Sequence, residues 1–173
     1  MQPNTAADVD KASATDTLPT PEEPIKVILA DDDKDDQELF EEALSKTNVP
    51  SELTTFNNGK DLMDNLKDPN ETNPDIIFID INMPLKNGKE ALAEMKADED
   101  LKDIPTVILS TSKNEKDVEE TFLAGASLYV PKPNSFNTFI TLLQKIFSLK
   151  WTGELLKPLR KTFLLTENTL RGK

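Results

Sequence analysis

The chain reads as an α/β protein, a five-stranded parallel sheet with helices on both faces. Three observations predict this. Short β-prone apolar runs alternate with helix-period segments five times between Ile25 and Lys150. The connections between them are short, as in consecutive strand–helix units. The run Ile76, Ile77, Phe78 and Ile79 carries no polar interruption, which is how a strand covered on both faces is written.

The elements follow in order. Ile25 to Ala30 is a first strand ended by acids, and Asp35 to Thr47 places Leu39, Phe40, Ala43 and Leu44 on one helical face. Glu52 to Phe56 reads as a second strand, and Asn58-Gly59 breaks the chain before a helix through Leu62, Met63 and Leu66. Asp75 to Asp80 is the third strand. Gly88 opens a helix with Ala91, Leu92 and Met95 inward. Pro105 to Ser110 is the fourth strand, and the helix from Asn114 to Ala124 stops at Gly125, a natural C-terminal cap. Ser127 to Val130 gives the fifth strand, and Asn134 to about Lys150 the last long helix. Residues 25–150 therefore form the folded domain. Residues 1–24, rich in Thr, Ala, Asp and Pro, are expected to be disordered, and residues 151–173 form a basic amphipathic extension.

Composition narrows the function. Hydrophobic residues are 36% and charged residues 30%, which suits a globular protein with flexible ends. Cysteine is absent, so disulfides and thiolate metal sites are excluded. Histidine is absent too, which excludes serine-hydrolase triads, histidine-ligated zinc and any role as a phosphohistidine donor. No apolar run reaches the roughly 18 residues of a membrane span, and the first residues lack a signal-peptide core, so a cytoplasmic protein off the membrane is expected. A net charge of −12 argues against nucleic-acid binding. The charge is uneven: −4 over the first 24 residues, −12 over residues 25–149 and +4 over the last 24. A basic tail on an acidic body either docks on a second copy or stands as a solvated helix.

In open parallel sheets the ligand crevice lies beyond the carboxyl ends of the strands. The polar residues of this chain fall there. The first strand runs into Asp31, Asp32 and Asp33, the third ends at Asp80, the fourth at Ser110, and the fifth is followed by Lys132. In the strand order 2-1-3-4-5, strands one and three are neighbours, so Asp31, Asp32 and Asp80 converge. Three such carboxylates repel one another unless a positive charge sits among them. A hard divalent cation, best Mg²⁺, meets that need, with Lys132 across the crevice. A plainer reading exists, because acids after a strand often only favour a helix N-terminus. Asp33, Asp35 and Asp36 are read that way, and Asp31 with Asp32 alone would fit either reading. The four strand ends together favour a site.

Four segments now resemble a known family: Val27 to Asp33, Ile77 to Pro84 with Gly88 downstream, Val107 to Ser112, and Tyr129 to Pro133. They are similar, in order and spacing, to the signature segments of response regulator receiver domains, over about Ile25 to Lys150. The resemblance implies the doubly wound flavodoxin- or CheY-like fold. It implies that Asp80 is a phosphoacceptor taking a phosphoryl group from a sensor histidine kinase or phosphotransfer protein. Asp32, Asp80 and the backbone carbonyl of Asn82 would ligate Mg²⁺, with Asp31 acting through water. Lys132 and Ser110 would bind phosphoryl oxygens, and Pro84 and Pro133 would shape the loops. Ser110 and Tyr129 would form the switch pair, although Tyr129 also reads as an ordinary edge aromatic. Activity would be confined to Mg²⁺-dependent self-phosphorylation and slow autodephosphorylation, so no enzyme in the usual sense is implied. Thr111 departs from the family's smaller residue, and its β-branch would narrow access to Asp80.

The last helix carries Phe136, Phe139, Ile140, Leu142, Leu143, Ile146 and Phe147, wider than one sheet-facing stripe requires. Trp151, Leu155, Leu156, Leu159, Phe163, Leu164 and Leu165 extend it into the tail. Either the tail folds back over its own domain or a second copy covers this surface. The chain also resembles stand-alone regulators that partner bacterial phytochrome-type kinases, where extended C-terminal regions support dimers. That implies a homodimer through the fourth helix, fifth strand, fifth helix and extension. Rival readings are weaker. A haloacid-dehalogenase-type phosphatase would need a second acid where Asn82 stands, a pseudo-receiver interaction module has no need of Asp80 and Lys132, and a flavodoxin-like electron carrier lacks its phosphate loop.

Overall fold

The computed structural model describes residues 23–149 and 158–171. The expected disorder of residues 1–24 falls, up to residue 22, outside the described residues, as do the tail residues Trp151, Leu155 and Leu156. The elements run β1 (Ile25–Ala30), α1 (Lys34–Ser45), β2 (Ser51–Phe56), α2 (Gly59–Leu66), β3 (Ile76–Ile79) and α3 (Gly88–Ala97). They continue with β4 (Thr106–Ser110), α4 (Glu115–Leu123), β5 (Leu128–Pro131), α5 (Phe136–Ser148), α6 (Arg160–Phe163) and α7 (Glu167–Leu170). Among the described residues the sheet has five strands, all parallel, in the order β2-β1-β3-β4-β5 that the sequence predicts.

Strand alternation divides the core into two layers, because successive side chains leave a strand on opposite faces. Ile28, Ala30, Ile77, Ile79, Ile108 and Tyr129 face α2, α3 and α4, meeting Leu62, Met63, Leu92, Met95 and Val118. Val27, Leu29, Ile76, Phe78, Val107, Leu109 and Val130 face α1 and α5, meeting Phe40, Leu44, Phe139, Leu142 and Ile146. The Phe40 ring meets Phe78 edge-on at 4.9 Å, a geometry favoured by the ring quadrupoles. Helix starts are fixed locally. Asp33 caps α1 by accepting from the Asp35 and Asp36 amides, Asn87 and Glu90 form a capping box on α3, and Ser135 caps α5. Gly125, with φ of +95°, ends α4 in a conformation that side chains resist.

The tail departs from a solvated helix. Its described part is two single turns, α6 and α7, joined by an extended stretch that forms a parallel bridge from Leu164 to Tyr129. The Leu165 amide donates to the Tyr129 carbonyl at 2.9 Å, so the tail satisfies backbone groups along the outer edge of β5. Phe163 is wholly buried, 5.2 Å from the Phe122 ring and 6.3 Å from the Tyr129 ring. Arg160 pairs with Glu119 of α4 at 2.8 Å. The reason lies in the sequence: Phe163, Leu164 and Leu165 are consecutive, which suits an edge strand between two layers better than a helical stripe. Of the two coverings the sequence allows, the described tail shows the one over its own domain.

This docking predicts a local effect. Phe163→Ala leaves a void where a buried Phe typically contributes about 3–5 kcal/mol, so the tail undocks first. Hydrogen exchange should then accelerate at Leu165 by about tenfold or more, with the β1 and β3 amides unchanged. Equal exchange at Leu165 in both proteins would show that Phe163 does not hold the tail.

Candidate functional site

The site is assembled by strand register. Ala30 of β1 pairs with Ile79 of β3, and the Asp80 amide donates to the Ala30 carbonyl at 2.9 Å. The next residues, Asp31 and Asp80, therefore leave adjacent strands side by side. One carboxylate oxygen from each of Asp31, Asp32 and Asp80 lies within 4.8 Å of the others. Asp31 and Asp80 are buried, and Asp32 is exposed at the rim. On the opposite wall the Lys132 amide donates to the Ser110 carbonyl at 2.8 Å, which sets the lysine beside the end of β4.

The Lys132 ammonium reaches into the acids. It lies 2.7 Å from Asp31 Oδ2, 2.6 Å from Asp36 Oδ2 and 3.4 Å from Asp80 Oδ2. Burial by itself would lower the lysine pKa, but hydrogen bonds to Asp31 and Asp36 and the charges of Asp80 and Asp31 outweigh it and hold the ammonium above its ordinary value. Burial pushes the Asp31 carboxyl up, and the Asp80 charge adds to this, against hydrogen bonds from Lys132 and the Asp33 amide.

Two contributors escape sequence reading. Asp36 was expected to serve only the α1 terminus. Its amide does donate to Asp33 at 3.3 Å, but its carboxylate makes the shortest of the lysine contacts. Gln37, also buried, donates from Nε2 to the Asp31 carbonyl at 2.5 Å and to Asn57 Oδ1 at 2.8 Å, fixing the β1–α1 turn against the loop after β2. The signal that could find Asp36 is helical period: it stands four residues before Phe40 on the inward side of α1, whereas Asp35 shares the exposed side with Leu39.

The other expected residues surround this centre. Asn82 is exposed, and its amide donates to Asp80 Oδ1 at 3.4 Å. Ser110 is wholly buried and its hydroxyl oxygen accepts from the Ser112 amide at 3.2 Å. Tyr129 is wholly buried, and its hydroxyl donates to the Ser112 carbonyl at 2.8 Å. Ser112 in turn donates to Asp117 at 2.5 Å, and Asp117 pairs with Lys89 of α3 at 2.6 Å. Thr111 is exposed. The Pro84 carbonyl accepts from the Lys86 amide at 2.7 Å across Leu85, whose φ of 65° is unusual for a side-chain-bearing residue. Gly88 lies against the backbone of Asp80: a Cβ there would collide with the Asp80 carbonyl.

The donor set suits a hard divalent cation. It is all oxygen, and among the described residues three carboxylates, Asp31, Asp36 and Asp80, meet the Lys132 ammonium, while Asp32 joins Asp31 and Asp80 within 4.8 Å. Charge is left over for a cation to neutralise.

Fold and site together define a receiver-type α/β protein, with paired acids after β1, an acid after β3 and a lysine after β5. The chain belongs to the response regulator receiver domain family, whose model matches residues 27–144. It is thereby a response regulator of the two-component type. It is 34% identical over 129 residues to Response regulator Rcp1 of Synechocystis sp., covering 72% of this chain and 88% of that protein. Among solved structures, the phosphorylated cyanobacterial phytochrome response regulator RcpA is 36% identical, with a TM-score of 0.66 over 71% of this chain and 91% of that one. The Mn²⁺-bound form of Rcp1 is 34% identical, with a TM-score of 0.66 over 72% of this chain and 93% of that one. Among the described residues no helix is long and apolar enough to cross a membrane.

The close approach of Gly88 yields a stability prediction. Gly88→Ala forces the β3–α3 loop away from the sheet end and should cost about 1–3 kcal/mol in urea unfolding, as overpacking does. A loss below about 0.5 kcal/mol, the level of a neutral surface change, would mean that the loop yields freely.

Proposed function

We propose that this chain is a phosphorylation switch in which Asp80 accepts a phosphoryl group from a sensor histidine kinase or a phosphotransfer protein. The observation that carries the reading is the convergence of Asp31, Asp32 and Asp80 within 4.8 Å, faced by Lys132. In the transfer, an Asp80 carboxylate oxygen bonds to phosphorus as the P–N bond of phosphohistidine breaks. The bonding pair returns to the imidazole, leaving an acyl phosphate on Asp80. Lys132 places a point charge on a phosphoryl oxygen and Ser110 donates its hydroxyl to another. Asp32, Asp80 and the Asn82 carbonyl would hold Mg²⁺, with Asp31 acting through water, and the ion would supply the charge neutralisation that phosphoryl transfer requires. The similarity to Rcp1 and to the phytochrome regulator RcpA supports a phytochrome-type kinase as the donor. The lack of cysteine and of apolar spans agrees with a cytoplasmic setting.

The output follows from what Ser110 and Tyr129 touch. A phosphoryl group adds about −1.5 to −2 charges. Ser110, turning to donate to it, gives up the Ser112 amide that it accepts from in this structure. The Ser112 carbonyl holds the Tyr129 hydroxyl, and Tyr129 carries the tail through Leu165 and Phe163. The signal therefore arrives at α4, β5, α5 and the tail, and alters which proteins dock there. A homodimer forms through this same tail-covered face, where Leu123 and Leu159 stand exposed.

Three outcomes are expected. Asp80→Asn abolishes labelling by acetyl phosphate in the presence of Mg²⁺, read by intact mass; labelling that survives unaltered refutes the assignment. Asp32→Asn raises the Mg²⁺ needed for half-maximal labelling by roughly tenfold or more, in keeping with losses around metal sites, and an unchanged requirement removes Asp32 from the metal set. Truncation after Lys150 lowers the sedimentation mass to that of a monomer, whereas an unchanged mass removes the tail from the interface.

A further inference from the structure

We infer that Asp36 is a positioning residue that holds Lys132 back from Asp80 and so sets how long the acyl phosphate lasts. The inference rests on the phosphorylation reading and concerns a residue outside its expected set. Lys132 has three N–H donors and three carboxylates in reach, and the contacts are unequal: 2.6 Å to Asp36, 2.7 Å to Asp31 and 3.4 Å to Asp80. The lysine leans toward α1, away from the acid that carries the phosphoryl group. Asp36 stands apart from the metal set, since the oxygens that gather within 4.8 Å belong to Asp31, Asp32 and Asp80. When those three acids are engaged by a cation and a phosphoryl group, Asp36 alone still competes for the ammonium.

The competition is between one fixed carboxylate and one transient anion. In the acyl phosphate, Lys132 can neutralise a phosphoryl oxygen only by lengthening its contact with Asp36. Each part of the ammonium that Asp36 retains is lost to the phosphorylated state. Hydrolysis proceeds by attack of water on phosphorus: the P–O bond to Asp80 breaks, its electron pair returns to the carboxylate, and the water proton leaves with inorganic phosphate. In the loose transition state of that attack the transferred group carries less charge than in the acyl phosphate, so a lysine drawn fully to a phosphoryl oxygen stabilises the phosphorylated state more than its hydrolysis. Asp36 is therefore a device for a short-lived signal. It is a half-exposed residue on the first turn of α1, so its removal spares the core.

The test uses the full chain with Asp36→Asn, which removes the charge and keeps an acceptor, and Asp36→Glu, which restores the charge. Asp80 phosphorylation is followed by intact mass after removal of acetyl phosphate, and affinity for beryllofluoride is measured in the presence of Mg²⁺. Asp36→Asn should lengthen the phosphorylated lifetime and tighten beryllofluoride binding, each by about fivefold, the scale of a partly exposed ion pair. The Mg²⁺ requirement and the melting temperature should stay as they are, and Asp36→Glu should return the lifetime toward that of the unaltered protein. A lifetime unchanged or shortened by Asp36→Asn overturns the inference, and a shifted Mg²⁺ requirement overturns it by making Asp36 a metal-site acid. If the unaltered protein is not labelled at all, the phosphorylation reading itself fails, which is a different result from a labelled variant with an ordinary lifetime.

Discussion

The contact of the Lys132 ammonium with the acids beyond β1 and β3 is the interaction on which the structure turns. Asp31 is 1% exposed, and the Lys132 side chain only 13%. Charges so enclosed are costly unless they are paired and hydrogen-bonded. Here each acid has a second partner: Asp31 accepts from the Asp33 amide at 3.0 Å, and Asp80 accepts from the Asn82 amide at 3.4 Å. Lys132 makes one wall of the crevice positive while the other remains acidic. An arrangement that stays short of positive charge is poised to take up a cation and then an anion.

The fold creates this imbalance by geometry. Parallel strands deliver all their carboxyl ends to one edge of the sheet, so acids that are remote in sequence meet there. Backbone does the fine placement. Gly88 lets the α3 terminus lie against Asp80, Leu85 accepts a left-handed conformation that tightens the loop, and Gln37 ties the β1–α1 turn to Asn57. Left-handed backbone at a residue such as Leu85 costs about 1 kcal/mol or more and is characteristic of functional loops. From the same edge, a chain of contacts runs through Ser110, Ser112 and Tyr129 to Phe163, which links the acids to the far side of β5.

Much of this is legible in the residues themselves. The run of Ile76 to Ile79 announces a central strand, and the positions of Asp31, Asp80 and Lys132 at strand ends announce the crevice, because side-chain period and strand length are local properties. What is not legible depends on how elements lie against one another. Helical period puts Asp36, and not Asp35, on the inward side of α1 with Phe40, but that the lysine after β5 meets it there depends on how the elements pack. The parallel bridge between Leu164 and Tyr129 joins residues far apart in the chain, and no local periodicity encodes it. Leu85 carries no Gly or Asn signal for its positive φ. A solvated helix is one of the two states the basic tail allows by composition; the described part follows instead the unmet hydrogen bonds of an open strand edge.

Titration of Mn²⁺ onto the protein, followed by amide NMR, tests most directly whether the acids beyond β1 and β3 form one cation site. The account predicts that resonances of Asp32, Asp80 and Asn82 broaden first and together at low Mn²⁺, before any other acidic stretch responds. Broadening spread evenly over the acidic surface, with Asp80 no more affected than Glu38 or Glu99, would contradict it.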